Sequence, residues 1–337
     1  MKPPRPALSV GVVALALLGA VLVTRVSGPS ATVDLSHLAW TQALDSLAVH
    51  LHDRYPYTAW KRVSWSELAV SYRPLVQSAE ASRDTAAYRS ALEAFVGDIP
   101  GRGPRVWAGE RSRPPCRAAI EILGGGHGRL RPCCGGPRRP QEAEAASAVV
   151  GLDALVLETR VDGIVLDLRG CGSAEKSLVE LGGRFLGERA LAERVSVRDA
   201  RDGSFGSSTE AWVDPWAPRF TGRVAILVDG GTAGAAELLA VVLRRSDAVR
   251  VIGYESSAGL TQAGDEVRVR LPADLTLGYF SGQSLDAHDR IQIETDRAGI
   301  GGLAPDLLLQ PDPRAEDVGR DPAVEAAQRW LGFGRLE

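Results

Sequence analysis

The stretch of this chain best placed to do chemistry is 224–237, V-A-I-L-V-D-G-G-T-A-G-A-A-E. An apolar strand signature at 222–228 runs through Asp229-Gly230-Gly231 into a helix signature at 232–244. A strand that turns sharply into a helix carries the first helical residues to the exposed edge of its sheet, where α/β proteins place their sites. The unpaired backbone N–H groups and the dipole of that helix start can stabilise a developing oxyanion. A nucleophile in the turn would then attack a carbonyl whose oxygen settles on those amides. In this chain the turn holds Gly234, followed by Ala235 and, within the first helical turn, Glu237.

Few other residues offer a nucleophile or a base. Ser173, Ser256 and Ser257 fall on loops near that edge and read as turn or capping serines. Cys171 could act as a nucleophile only with a base beside it, and none is visible. His127, in Gly124-Gly125-Gly126-His127-Gly128, lacks the strand and helix context of a phosphate loop and reads as a solvated loop histidine. His288, between Asp286 and Asp289, reads as a surface turn, and His50 and His52 as residues of a helix face. No His, Asp or Glu cluster has metal-ligand spacing, and the four cysteines fit no zinc pattern, so no metal and no cofactor is expected. Incidental thiols or one disulfide is the simplest reading of those cysteines.

The elements that must position these residues fall into five stretches. Residues 1–30 read as a signal peptide or signal anchor: Lys2 and Arg5, an apolar run over 7–23, then small residues. The body is therefore expected to be exported: secreted, periplasmic, or membrane-anchored facing outside. Residues 34–98 read as a helical lead-in, with apolar spacing at Leu38, Ala43, Leu44, Leu47 and Leu51 and a capping box at Ser64 to Glu67. Residues 101–149 open on an irregular segment; 101–140 holds nine Arg, nine Gly and six Pro with no sustained period. Residues 150–320 are an α/β core with buried strands at 163–168, 222–228 and 249–253 and a hairpin at 265–280. A short helix and tail close the chain over 321–337. The net charge of −3 offers no basic face for nucleic acid, and none is expected as a partner.

Three of these segments, in this order, resemble the tail-specific (C-terminal processing) serine peptidase family, in its tricorn-like branch. They are Val161-Asp162-Gly163-Ile164-Val165-Leu166-Asp167-Leu168-Arg169-Gly170, the 224–237 stretch with Val249 to Gly253 after it, and Gly302-Leu303-Ala304-Pro305-Asp306. The resemblance covers about 160–310 well. It implies a crotonase-like ββα superhelix core preceded by a small helical module. It also makes position 234 that of the nucleophilic serine, with Thr232 and Glu237 retained around it and Ser256 and Ser257 the nearest substitutes. Gly170, Gly172 and Ala235 would supply the oxyanion hole. The base is missing as well. Where dyad members carry a lysine this chain reads Ser256-Ser257-Ala258-Gly259-Leu260, and where tricorn-like members carry a histidine it reads Asp98-Ile99-Pro100-Gly101-Arg102-Gly103-Pro104. The 101–149 segment would then be a degenerate PDZ-like, tail-binding module or a frame-shifted stretch. The function implied is that of a serine-type peptidase with proteolysis impaired. The alternative is a non-catalytic protein of the same fold that binds peptides or an apolar ligand. Peptide or protein C-terminal tails are the implied partners, with membrane attachment through the N-terminal segment as an option.

Overall fold

A computed structural model describes residues 32–109, 118–132, 142–173, 176–199, 202–317 and 319–333; the expected export signal lies outside them. Among the described residues no helix is long and apolar enough to cross a membrane. The chain order is β1 (Thr32–Asp34), α1 (Trp40–Arg54), α2 (Thr58–Lys61), α3 (Trp65–Ser82), α4 (Thr85–Gly97), β2 (Arg105–Ala108), β3 (Ala119–Leu123) and β4 (His127–Arg131). Next come α5 (Glu142–Asp153), β5 (Gly163–Asp167), β6 (Gly172–Ser173), α6 (Lys176–Glu180), β7 (Ala190–Val197), β8 (Thr209–Val213) and β9 (Arg223–Val228). The last are β10 (Ala233–Gly234), α7 (Ala235–Leu243), β11 (Val249–Gly253), β12 (Glu266–Leu271), β13 (Leu275–Phe280), β14 (Gly282–Leu285), β15 (Leu307–Leu308), α8 (Pro313–Asp317) and α9 (Pro322–Phe333).

A mixed α/β core follows a helical region, and the apolar strand runs explain the layering. The main sheet has the order β15-β11-β9-β5-β4-β3, parallel throughout except for β3. Successive strand residues face opposite sides. Thus Ile164, Leu166, Val224, Ile226, Val228 and Val251 pack with α7, while Val165, Ala225, Leu227 and Ile252 pack with Trp330, Leu331 and Ala327 of α9. Two covered faces require runs without polar alternation, and such runs are what the sequence carries. Each fully buried aliphatic side chain contributes about 1.5–3 kcal/mol.

The helical region does not stand alone. Helices α1, α3 and α4 share one core with Val267, Val269 and Leu271 of β12, Leu275, Leu277 and Tyr279 of β13, and Val106 of β2. The hairpin read as part of the α/β core therefore packs on the helices, in a second sheet of order β1-β12-β13-β2. Its strands carry apolar residues on one face only, which α1 and α4 cover. Helix α1 is capped from outside: Glu80 accepts Trp40 N (2.9 Å), Thr41 N (3.1 Å) and Thr41 Oγ1 (2.7 Å). The capping box expected at Ser64 is not formed, although α3 does begin at Trp65, whose side chain is buried.

Over its described residues, the irregular reading of 101–149 is corrected by the structure. Ala119–Leu123 and His127–Arg131 form a hairpin that extends the main sheet, and β4 pairs in parallel with β5. Gly125 and Gly126 turn it at φ +77, and a Cβ on Gly128 would lie 2.7 Å from Leu155 of the segment above. The arginines that hide the strand pattern are used in pairs. Arg129 donates to Asp167 through Nε (3.1 Å) and Nη2 (2.5 Å) and reaches Glu121 through Nη1 (3.2 Å).

Asp167 is the hub of a cluster at the carboxyl end of β5. Arg169 grips it with two bonds (2.9 and 2.8 Å) and grips Asp321 with two more (3.1 and 2.7 Å). Asp321 is also the N-cap of α9, accepting Ala323 N and Val324 N, with Pro322 in the first helical position. Burial alone would raise the Asp167 carboxyl, but the bonds and charges of Arg169 and Arg129 outweigh it and hold it below the ordinary carboxylate range. Removing one partner of such a buried cluster leaves charge unpaired. Asp167→Ala is therefore expected to lower the unfolding free energy by about 3–5 kcal/mol in urea titrations. A loss below about 1 kcal/mol, the scale of an exposed pair, would show that the cluster does not hold α9.

Candidate active site

Two turns meet at the carboxyl edge of the main sheet. Asp229 Oδ1 accepts Gly170 N (2.8 Å) and Gly231 N (2.9 Å), and Thr232 Oγ1 donates to Leu168 O (2.9 Å). A Cβ on Gly231 would lie 2.8 Å from Gly170 Cα, so glycine there lets the turns touch. Beyond them β6 and β10 pair in parallel, Gly172 beside Ala233 and Ser173 beside Gly234, with Ala233 N donating to Cys171 O (2.8 Å). Helix α7 starts at Ala235, three residues later than its apolar pattern suggests, because Ala233 and Gly234 are held in that pairing.

Gly234 takes φ +64 and ψ −123, a conformation L side chains rarely adopt. Its N–H donates to Leu260 O (2.9 Å) and to Glu237 Oε2 (3.1 Å). The latter is one half of a capping box; the other half would need a side-chain oxygen that glycine lacks. Glu237 is fully buried and accepts three more bonds: from Ser257 Oγ (2.5 Å), Gly259 N (2.7 Å) and Leu260 N (3.1 Å). Burial pushes its carboxyl up to about 7, against the opposing pull of those four donors.

These contacts decide what the expected site residues can do. Ser257 Oγ donates to Glu237 and accepts Leu303 N (2.7 Å), so its hydroxyl is used in both directions and is buried. Ser256 is half-buried beside it and does not line the cavity at Gly234. Gly170, expected to lend its amide to an oxyanion, has that amide committed to Asp229, while Ala235 follows Gly234 in the chain and Gly172 lies beside Ala233. Cys171 is disulfide-bonded and carries no thiol. His127 is buried in β4 opposite Gly163, at the far end of the sheet, about 13 Å of strand from the carboxyl edge. His50 contacts Tyr279 Oη (3.0 Å), and His288 sits in an exposed turn closed on Asp286. Among the described residues no group of three or more His, Cys, Asp or Glu is placed to hold a metal ion.

The cavity at Gly234 and Ala235 is lined also by Lys176, Glu193, Thr261 and Gln262. It measures about 20 Å³, room for about one water. No histidine lines it. Behind it runs a buried chain of polar groups that sequence reasoning missed. Ser284 N donates to Tyr57 Oη (3.1 Å), Tyr57 Oη to Thr261 Oγ1 (2.5 Å), and Thr261 Oγ1 to Glu294 Oε2 (2.7 Å). Burial, then the Glu294 charge, drives the Tyr57 hydroxyl well above its ordinary value, which keeps it a neutral donor. Glu294 pairs with Lys61 at 2.8 Å, both side chains buried, and Lys61 Nζ also donates to Pro100 O (2.8 Å) and Arg102 O (2.9 Å). The turn at 98–104, where a base histidine was sought, is thus tied down by a lysine. The available signal was rarity: Lys2, Lys61 and Lys176 are the lysines among 39 basic residues, and two of them are here.

The parallel core, the two apposed turns and the strand-to-helix elbow define a peptidase-type α/β fold. The family model for peptidase family S41 matches residues 141–308, and through this segment the chain belongs to that family. Its fold is similar to that of a putative peptidase from Parabacteroides merdae, at TM-score 0.65 and 16% identity over 89% of this chain and 100% of that one. A lipoprotein from Streptococcus agalactiae (TM-score 0.59, 12% identity, 89% and 98% covered) is also similar. So is mature CPAF, solved with lactacystin (TM-score 0.59, 11% identity, 88% and 98% covered). No curated protein matches the sequence.

The raised Glu237 carboxyl makes a stability prediction. A group whose folded pKa exceeds its unfolded value contributes stability that is present below the unfolded value and lost as pH rises through the folded one. The window here is from about 4.5 to about 7. The unaltered protein should lose on the order of 3 kcal/mol more than Glu237→Gln across it. Parallel stability curves from urea unfolding at each pH would refute the assignment.

Proposed function

We propose that this chain is a serine-peptidase-family protein that has lost peptide-bond hydrolysis and keeps the frame of the site, with peptide or protein tails as its class of partner. The observation that carries the reading is Gly234. It stands in the turn before α7, its N–H held by Glu237 and Leu260, with no side chain to attack a carbonyl. Loss of the nucleophile from such a unit costs about a millionfold in kcat in subtilisin. The water-sized cavity supports the same reading, since a scissile residue would not enter it without movement of its walls. The Ser257 hydroxyl does not stand in for the missing one, because it is engaged at both ends. Export of the chain, expected from residues 1–30, belongs to this proposal and rests on the sequence alone.

Labelling with a fluorophosphonate probe tests it. The purified chain is expected to remain unlabelled under conditions that label an active serine peptidase to completion. Labelling of the unaltered chain, mapped to any serine, would overturn the proposal.

The backbone supplies a second expectation. A non-glycine residue at φ +64 carries strain of about 1–3 kcal/mol. Gly234→Ser should therefore lower stability by that amount in chemical denaturation, while Gly124→Ser, at a glycine outside the positive-φ set where an added Cβ meets nothing within 4 Å, gives a baseline for the substitution. A Gly234→Ser variant as stable as the unaltered chain would mean that the elbow relaxes to accept a side chain.

A further inference from the structure

We propose that the open groove on the outer side of β14 is a binding site for a neutral aromatic ligand, and that filling it is felt at the Gly234 cavity. The groove is open to solvent and offers about 830 Å³, within the size range of small-molecule sites. Its floor is Leu285 and Ile291, which form an antiparallel bridge with one another. Its walls are Trp60 of α2 and Phe205, each about two-fifths exposed although both are large apolar rings. The Phe205 wall is fixed to the sheet: Ser196 Oγ of β7 donates to Gly206 O (3.0 Å).

Charge selects the ligand. Asp286 is satisfied by Arg290 Nε (2.9 Å), by the Arg290 guanidinium (2.7 Å) and by the amides of His288 and Arg290. Asp289 takes Arg194 (2.6 Å). Each lining carboxylate is therefore paired with a guanidinium, Arg290 from the lining and Arg194 from outside it, so the groove presents no unpaired charge to a ligand. Two aromatic walls over an aliphatic floor favour a flat ring that stacks or packs edge to face.

The link to the cavity lies in two elements with one face on each side. Along β14, Ser284 turns inward to line the cavity at Gly234, while its neighbours Gln283 and Leu285 turn outward to line the groove. At α2, Tyr57 and Lys61 join the buried chain through Thr261 and Glu294, and Trp60 points out into the groove. A ring wedged between Trp60 and Leu285 presses on both elements at once, and both carry the network that lines the cavity.

Titration of the full chain with the uncharged fluorophore N-phenyl-1-naphthylamine tests the proposal. Saturable binding is expected, weakened about tenfold in Trp60→Ala and in Phe205→Ala. Phe333→Ala, an exposed phenylalanine on α9, should bind unchanged. In amide hydrogen exchange, saturating probe should slow exchange over 282–285 and 233–235 in the unaltered chain and not in Trp60→Ala. Thermal unfolding of each variant establishes that it is folded. Failure to saturate, or equal binding by folded Trp60→Ala and Phe205→Ala, would overturn the site. Binding with no change over 233–235 would overturn the link to the cavity. A chain that dimerises through Trp60, shown by light scattering, and ignores the probe would mean that a second copy is the occupant, which also overturns it.

Discussion

One carboxylate holds the edge of this protein together. The two oxygens of Glu237 accept four donors, from the elbow at Gly234, from the loop at Gly259 and Leu260, and from the Ser257 hydroxyl. Buried amides left without acceptors cost about as much as the desolvation that unpaired polar groups suffer elsewhere, so the loop and the elbow cannot separate cheaply. The positions of Thr261 and Gln262 on the cavity wall follow from that anchorage, because both come directly after Leu260. The Glu294 carboxylate then takes up Thr261, and Lys61 takes up Glu294, so a single line of acceptors and donors joins α7 to the helical region.

This arrangement owes nothing to the residue type at 234. The turn at 229–232, the pairing of β6 with β10 and the cap at Glu237 are made by backbone amides, by Asp229 and by Glu237. None of them uses a side chain at 234. Glycine there also removes the cost of a positive φ, so the elbow is held by less than a serine would require. The geometry of the elbow is therefore set by its neighbours and not by a side chain at 234.

Much of the core was legible because its signal is strong and local. The runs at 163–167, 223–228 and 249–253 are apolar without alternation, and a strand covered on both faces is the condition that produces such runs. The elbow at Gly234 was equally legible, as an apolar strand that runs through glycines into a helix. The hairpin at 119–131 was hidden because its edge strand is exposed and its inner strand carries Arg129, whose charge is cancelled by Asp167, 38 residues away in sequence. Pairing across such a distance leaves no periodicity to read. The same holds for Lys61 and Glu294, which look like two surface charges in the sequence and meet in the interior. The Ser64 capping box shows the opposite error, a local pattern present in the sequence and unused in the fold.

The position of α9 has a consequence for assembly. This helix covers the back face of the main sheet, yet it is synthesised after every strand it covers. Until it arrives, Val165, Leu227 and Ile252 have no partner layer, and Arg169 lacks the Asp321 carboxylate that fixes the 168–170 turn. The nascent chain can close its helical region against β12 and β13 beforehand, but the back of the sheet and the edge bearing Gly170 are finished together and late. Birth order thus makes the site one of the last parts of the molecule to take shape, and couples its completion to the burial of Trp330.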